Sequence, residues 1–429
     1  MKLEVGKYRV RRVTFSPTTR LEAGTLHVNY DELCSVALQG ESIEDVSIEL
    51  AHPGEETRII HVLDAIEPRI KVGGSSVAFP GFLGPARTVG EGRTNVLEGL
   101  AVLESAQFPE PTSGILEFNE GFIDMSGPGA AYSCCSDTAN IVLVFRPRPG
   151  ISNEEYDTAI RHATLRAADY LAKTTLECEP GELKTYELSP VDLSLPRVAY
   201  IDQCQWQGLM VQTFLYGMPM RDLVPTLLHP NEILDGAIVS GNYRSPMKVS
   251  TYLHCNNPVV KALYNRHGLD LNFVGVVLCR GHFDDHRSKE RNAHYVAKLA
   301  RLLQVDGIVQ TLEGTGNTFI DFMLTVQACE RLGIKSVPIV HEHGGPNGTD
   351  WPLVDYVPEA RSIVSTGGVD RRFSVPAMKW AIGGDSLTFT TQEEWGGRID
   401  ASSAMTVSAH ELYSGYWQMG VSGFTARDF

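Results

Sequence analysis

A chain of 429 residues with 43% hydrophobic and 21% charged residues has the composition of a soluble globular protein with room for two or three domains. Its formal charge of -15 argues against a nucleic-acid partner, because affinity for a phosphate backbone is supplied by Lys and Arg. Eight cysteines without CxxC spacing argue against a disulfide framework, no run approaches the roughly 20 apolar residues of a membrane span, and the charged start Met1-Lys2-Leu3-Glu4 lacks a signal core, so the chain reads as cytoplasmic.

Residues 1–192 carry short alternating runs such as Tyr8-Arg9-Val10-Arg11-Arg12-Val13 and Val46-Ser47-Ile48-Glu49-Leu50, punctuated by Gly and Pro. That pattern predicts a β-rich amino-terminal domain. Asp124-Met125-Ser126-Gly127-Pro128-Gly129-Ala130 has too many turn formers for a strand and reads as a structural or a ligand-binding loop. From Asn153 to Leu176 the apolar spacing predicts an amphipathic helix capped by Ser152, and Pro180 to Pro196 reads as a linker.

Residues 193–429 form the second predicted unit, an open α/β domain with a mainly parallel sheet. Short apolar runs at Val198–Ile201, Ala237–Val239, Phe273–Leu278, Gly307–Val309, Val337–Val340 and Ile363–Val364 read as strands buried on both faces. Helical spacing at Asn292–Leu303 and Ile320–Leu332 separates several of them. The strands end in Ser240-Gly241-Asn242-Tyr243, Cys279-Arg280-Gly281-His282, Glu313-Gly314-Thr315-Gly316-Asn317, His341-Glu342-His343 and Ser365-Thr366-Gly367-Gly368. In a doubly wound sheet such ends share one edge, where ligands bind. The tail from Glu411, with Tyr413, Tyr416, Trp417 and Phe424, is expected to pack, because exposing those rings is costly.

Imidazole, thiolate and carboxylate side chains are the usual ligands of zinc or non-haem iron. His282, His341 and His343, with His254 and Cys255 in reserve, are the candidates for such a site. The same histidines read equally as a solvated helix start near His282 and a carbonyl-bonded ring at His254. Glu313 and Asp321 are candidate acid or base groups, though carboxylates at helix starts also act as caps. Backbone N–H groups around Gly314, Gly316, Asn317, Thr366 and Gly367, with the Asn242 side chain, are candidate substrate-binding elements.

Ile48-Glu49-Leu50-Ala51-His52-Pro53-Gly54-Glu55, Asp64-Ala65-Ile66-Glu67-Pro68-Arg69, Gly90-Glu91-Gly92-Arg93-Thr94, Asp124 to Ala130 and Asp235-Gly236-Ala237-Ile238-Val239-Ser240-Gly241-Asn242 together resemble the glycine, sarcosine and betaine reductase component B α/β proprotein family. The Glu313–Asn317 and Ser365–Gly368 strings extend the likeness almost end to end. The resemblance implies a proprotein cut before a cysteine that follows the Ser-Gly-Asn turn. That cysteine becomes a pyruvoyl group, which captures the substrate amine as a Schiff base before a selenoprotein partner joins in reductive C–N cleavage.

Here the matching residue is Tyr243, which has no thiol or hydroxyl to eliminate from its β-carbon, so no pyruvoyl group is expected. Three readings follow. The chain is a pyruvoyl-free subunit that binds a small amine or amino-acid-derived substrate, Tyr243 lining the former pyruvoyl site, in an oligomeric complex with a second reductase-family subunit. It is instead a hydrolase or lyase whose histidines hold a metal in place of the carbonyl. Or it is a non-catalytic scaffold.

Overall fold

A computed structural model describes residues 1–40, 42–73, 76–110, 121–189, 192–208, 210–242, 245–388 and 398–420; Tyr243 and Phe424 lie outside them. The amino-terminal part is β-rich, as its alternation predicts. Ile43–Ala51, Ala139–Pro147, Leu100–Ala106 and Val62–Ile66 form one four-stranded sheet in that order. The helix Asn153–Ala172 covers one face of it with Tyr156, Ile160, Ala163 and Ala167. Its start is fixed by a capping box, in which Ser152 and Glu155 each bond the other's backbone N–H.

The segment read as a linker holds a strand. Glu182–Glu187 pairs antiparallel with Lys2–Lys7, in register from Lys2 opposite Glu187 to Lys7 opposite Glu182. It is an edge strand with only Tyr186 buried, so it lacks the apolar alternation that announces a strand.

The second part is built on a six-stranded sheet in the order Thr226–Leu228, Asn272–Arg280, Arg197–Cys204, Gly307–Leu312, Lys335–Glu342, Val364–Gly368. All neighbours are parallel except the first pair. Side chains alternate between faces. Ala199, Ile201, Val277 and Cys279 pack under the helix His286–Leu302, while Tyr200, Val276 and Leu278 pack with Val260 and Leu263 of Pro258–Arg266 on the other face.

Numbered by chain order, the five parallel strands run 2-1-3-4-5. The chain therefore leaves Arg197–Cys204 on one side and returns on the other, and the switch point lies between the carboxyl ends of Arg197–Cys204 and Gly307–Leu312. The run Ala237–Val239 is not part of this sheet. Ile238–Val239 pairs antiparallel with Phe214–Leu215 in a separate three-stranded sheet, because a run this short is buried in any core and does not name its partner.

The carboxyl-terminal segment returns to the first part. Trp380–Ile382 pairs parallel with Thr57–Ile59, and Leu412 bridges to Phe122. The fully buried Arg58 ties the two together. Its guanidinium donates to Asp124 Oδ1 at 2.6 Å and Oδ2 at 3.1 Å, and to the carbonyls of Ala401, Ser403 and Pro376 at 2.9, 2.9 and 3.2 Å. The Asp124–Ala130 loop thus anchors this junction. Among the described residues no helix is long and apolar enough to cross a membrane.

Candidate functional site

The switch point is lined by a buried polar cluster. Glu313 follows the strand Gly307–Leu312 and is fully buried. Its Oε2 accepts from the Gln205 backbone N–H and the Thr213 hydroxyl, both at 2.7 Å, and its Oε1 lies 2.7 Å from His254 Nε2. His254 is carried by the short helix Thr251–Cys255, which Ser250 caps. Burial works against the His254 imidazolium, but the Glu313 charge and the contact with it prevail and raise its pKa.

Asp202 lies beside this pair in the strand Arg197–Cys204 and is fully buried. Burial lifts its pKa to about 6 against the nearby His254 charge; the Tyr200 and Thr311 hydroxyls, bonded to each other, lean the same way as His254. His254 Nδ1 is also buried without a partner. Cys204, His254 and Glu313 each offer one ligand atom within 4.8 Å of the others. The Cys204 thiol is held well above its ordinary pKa, first by burial and then by the Asp202 charge.

A second cluster stands further along the same edge, joined to the first by Gly314 and Thr315. The Thr315 hydroxyl contacts His343 Nε2 at 2.8 Å and His341 Nε2 at 3.3 Å. His341 is fully buried, which depresses its pKa, and its ring meets Tyr416 at 4.6 Å and His343 at 5.1 Å between centroids. His343 Nδ1 lies 3.7 Å from Asp370 Oδ1, and His410 Nε2 lies 2.7 Å from the same oxygen. The Asp370 carboxyl is held down at about 2, chiefly by the His410 contact. The tail closes this end, with Gln418 donating to the Gly314 carbonyl at 2.6 Å and Thr366 donating to the carbonyls of Val340 and Tyr416 at 3.3 and 3.2 Å.

The Ser240-Gly241-Asn242 turn approaches from its own small sheet. Asn242 donates to Glu104 Oε1 at 2.7 Å, and the fully buried Lys248 donates to the carbonyls of Leu63 and, at 2.6 Å, Gly241. Burial raises Glu104 to about 8, the neighbouring Asp64 charge adding to it; burial also lowers Lys248, against the pull of Asp64 and Glu104.

The candidate residues are thus distributed as follows. His254 and Glu313 meet at the switch point, and His341 and His343 meet beside it. Cys255 turns away into the amino-terminal core, where burial raises its thiol to about 11. His282 lies at a tight turn with φ 63°, where its N–H and that of Phe283 donate to Asp321. Asp321 is fully buried and bonded to Lys289 at 2.6 Å, which ties that turn to the helix His286–Leu302. Gly314 donates to the Met247 carbonyl, Asn317 donates to the Phe283 carbonyl, and Gly316 and Gly367 adopt positive φ.

Sequence reasoning missed Asp202, Cys204, Asp370, His410 and Tyr416. An acid inside the apolar run Tyr200-Ile201-Asp202 was the one available signal, because a buried carboxylate needs a reason.

The glycine/sarcosine/betaine reductase component B subunits match as a family over residues 1–427. Sarcosine reductase complex component B subunit alpha of Peptoclostridium acidaminophilum is 39% identical, with both chains covered in full. Glycine reductase complex component B subunits alpha and beta of Acetoanaerobium sticklandii is 36% identical, and betaine reductase complex component B subunit alpha of P. acidaminophilum 34%, again over the whole of each chain. No solved structure matches. With a family match from end to end and relatives above 30% identity over their full length, the chain belongs to the glycine/sarcosine/betaine reductase component B family.

Proposed function

We propose that this chain is a pyruvoyl-free, substrate-binding component B subunit of a reductase-type complex that cleaves a C–N bond in a small amine or amino-acid-derived substrate. The observation that carries the reading is Tyr243, which stands directly after Ser240-Gly241-Asn242, where the resemblance implies a cysteine. A phenol on the β-carbon is no leaving group, so the backbone cut and elimination that create a pyruvoyl carbonyl have no starting point. Support for a role in a reductase-type complex comes from the relatives, which are named as component B subunits of sarcosine, glycine and betaine reductase complexes.

In this reading the switch-point cluster does the acid–base work. Glu313, fixed by three contacts, exchanges a proton with His254 Nε2, and Asp202 balances the imidazolium. The substrate sits along the edge formed by Asn242, the Gly314–Asn317 turn and Thr366–Gly367, and a second subunit of the complex supplies the reducing chemistry. Cytoplasmic residence and an oligomeric complex belong to the same proposal.

Intact-mass spectrometry of the purified protein tests it. A single species of 47.1 kDa is expected. Two fragments meeting at residues 242 and 243, the second with a blocked amino terminus, would refute the pyruvoyl-free state. Glu313→Gln in the reconstituted complex should lower turnover by about 100-fold or more at unchanged complex assembly; full turnover would remove Glu313 from the mechanism.

A further inference from the structure

His343, Asp370 and His410 come from three separated segments and converge on one oxygen. His410 Nε2 and His343 Nδ1 face Asp370 Oδ1 at 2.7 and 3.7 Å, and the three ligand atoms lie within 4.8 Å of one another. We propose that these three side chains form a binding site for one divalent transition-metal ion, zinc or ferrous iron, with its remaining positions open to the adjoining cavity. The inference does not depend on the reductase reading.

The atoms that would not touch the ion carry the argument. Each ligand has its far side already held. His343 Nε2 bonds the Thr315 hydroxyl at 2.8 Å, His410 Nδ1 bonds the Tyr416 hydroxyl, and Asp370 Oδ2 accepts from the Gly345 N–H at 2.9 Å. Such outer contacts fix the orientation of each ring and of the carboxylate, so that the inner nitrogens and oxygen converge on one point.

Access and chemistry agree with this. The side chains of His343, Asp370 and His410 are 23%, 20% and 16% exposed, so an ion can enter from solvent. They border a cavity of about 390 Å³ that Asp350, Arg372 and Glu411 also line. Two imidazoles and one carboxylate are the ligand set of open catalytic sites for zinc or ferrous iron, in which water or substrate fills the remaining positions. Bond lengths of about 2.0–2.2 Å place ligand atoms roughly 3 Å apart, so the observed spacing closes onto an ion with a side-chain shift of about an ångström. The open positions with Arg372 at the rim suit a small ligand that bears a carboxylate.

The competing cluster of Cys204, His254 and Glu313 differs in being fully buried and in containing a thiol, which makes the two distinguishable by spectroscopy. The experiment is titration of the chelator-stripped, full-length protein with Co²⁺, followed by absorption and calorimetry, with Zn²⁺ as competitor. One Co²⁺ per chain is expected, with visible ligand-field bands and no thiolate charge-transfer band in the near ultraviolet.

Asp370→Asn and His410→Gln should each weaken binding by about 100-fold or more, Tyr416→Phe by about 10-fold without loss of the fold, and the exposed His286→Gln not at all. The Co²⁺ spectrum and Tyr416→Phe decide the matter if the ligand variants fail to fold. A folded wild type that takes up no Co²⁺ at micromolar concentration, a thiolate band placing the ion at Cys204, or unaltered binding in the Asp370, His410 and Tyr416 variants would each overturn the proposal.

Discussion

Glu104 lies beneath the Ser240-Gly241-Asn242 turn, and its protonation is a consequence of packing that can be measured. Two features keep it neutral. Burial lifts its pKa from 4.5 to about 8, with Asp64 adding to the shift and Lys248 opposing it. In addition, Thr164 has one hydroxyl proton and two acceptors near it, the Ile160 carbonyl at 2.9 Å and Glu104 Oε2 at 3.1 Å. A protonated Glu104 resolves that conflict by donating to the Thr164 hydroxyl, which is then left to donate to Ile160.

Glu104→Gln copies this neutral state, its oxygen facing Asn242 and its amide facing Thr164. Because the folded pKa is raised, the group's contribution to stability is fully present below pH 4.5 and is lost as the pH rises through 8. Between pH 5 and pH 8 the wild type should lose on the order of 3 kcal/mol that the variant does not, at about 1.36 kcal/mol per pH unit over most of that interval. Urea unfolding of both proteins at pH 5, 6.5 and 8 isolates this term, since every other titrating group is shared. A difference that stays constant within about 1 kcal/mol across the range would mean that Glu104 is ionised in the folded protein, and the reasoning would fail.

Three further outcomes follow from the packing. Arg58→Ala removes five hydrogen bonds and leaves the fully buried Asp124 without its partner, so it should cost roughly 3–5 kcal/mol in urea unfolding; a cost below about 1 kcal/mol would mean that the carboxyl-terminal return adds little. Gly314→Ala puts a methyl group 2.5 Å from Gln205 Oε1 at φ 94°, and should lower the melting temperature and the turnover of the complex together, by at least about 1 kcal/mol in stability. His254→Ala should flatten the pH dependence of stability above about pH 6.5, because the raised imidazole pKa gives stability that is present below that value and lost as the pH rises through the folded one. Unaltered slopes in paired melts at pH 6 and pH 8.5 would place that titration elsewhere.

Local signals carried much of the fold. Ser152 and the apolar spacing after it announce the helix Asn153–Ala172 because an N-cap and its periodicity are local, and the alternation of apolar strand and helix between Asn272 and Glu342 follows from periodicity alone. Pairing is another matter. Nothing within Ile238–Val239 separates a partner in a small antiparallel sheet from one in the large parallel sheet, and Glu182–Glu187 is held by its neighbour's backbone rather than by its own side chains.

The site divides in the same way. His341 and His343 were visible as a local string at a strand end. Asp370 and His410 stand 40 residues apart in unremarkable surroundings, and only the fold of the tail brings them to the same oxygen. Glu313 was visible as an acid after a strand, but the partner that raises its interest, His254, arrives from a different connection.

The return of the carboxyl-terminal segment has a consequence for what a broken chain would do. Trp380–Ile382 lies between backbone and solvent beside Thr57–Ile59, Arg58 grips a carbonyl 343 residues away, and Lys248 and Asn242 reach back to Leu63 and Glu104. Each half of the polypeptide is threaded into the other's hydrogen bonding. A single nick near the middle would sever one covalent bond and almost none of the architecture. The two pieces would migrate together on a sizing column and come apart only once urea had dissolved the shared sheets.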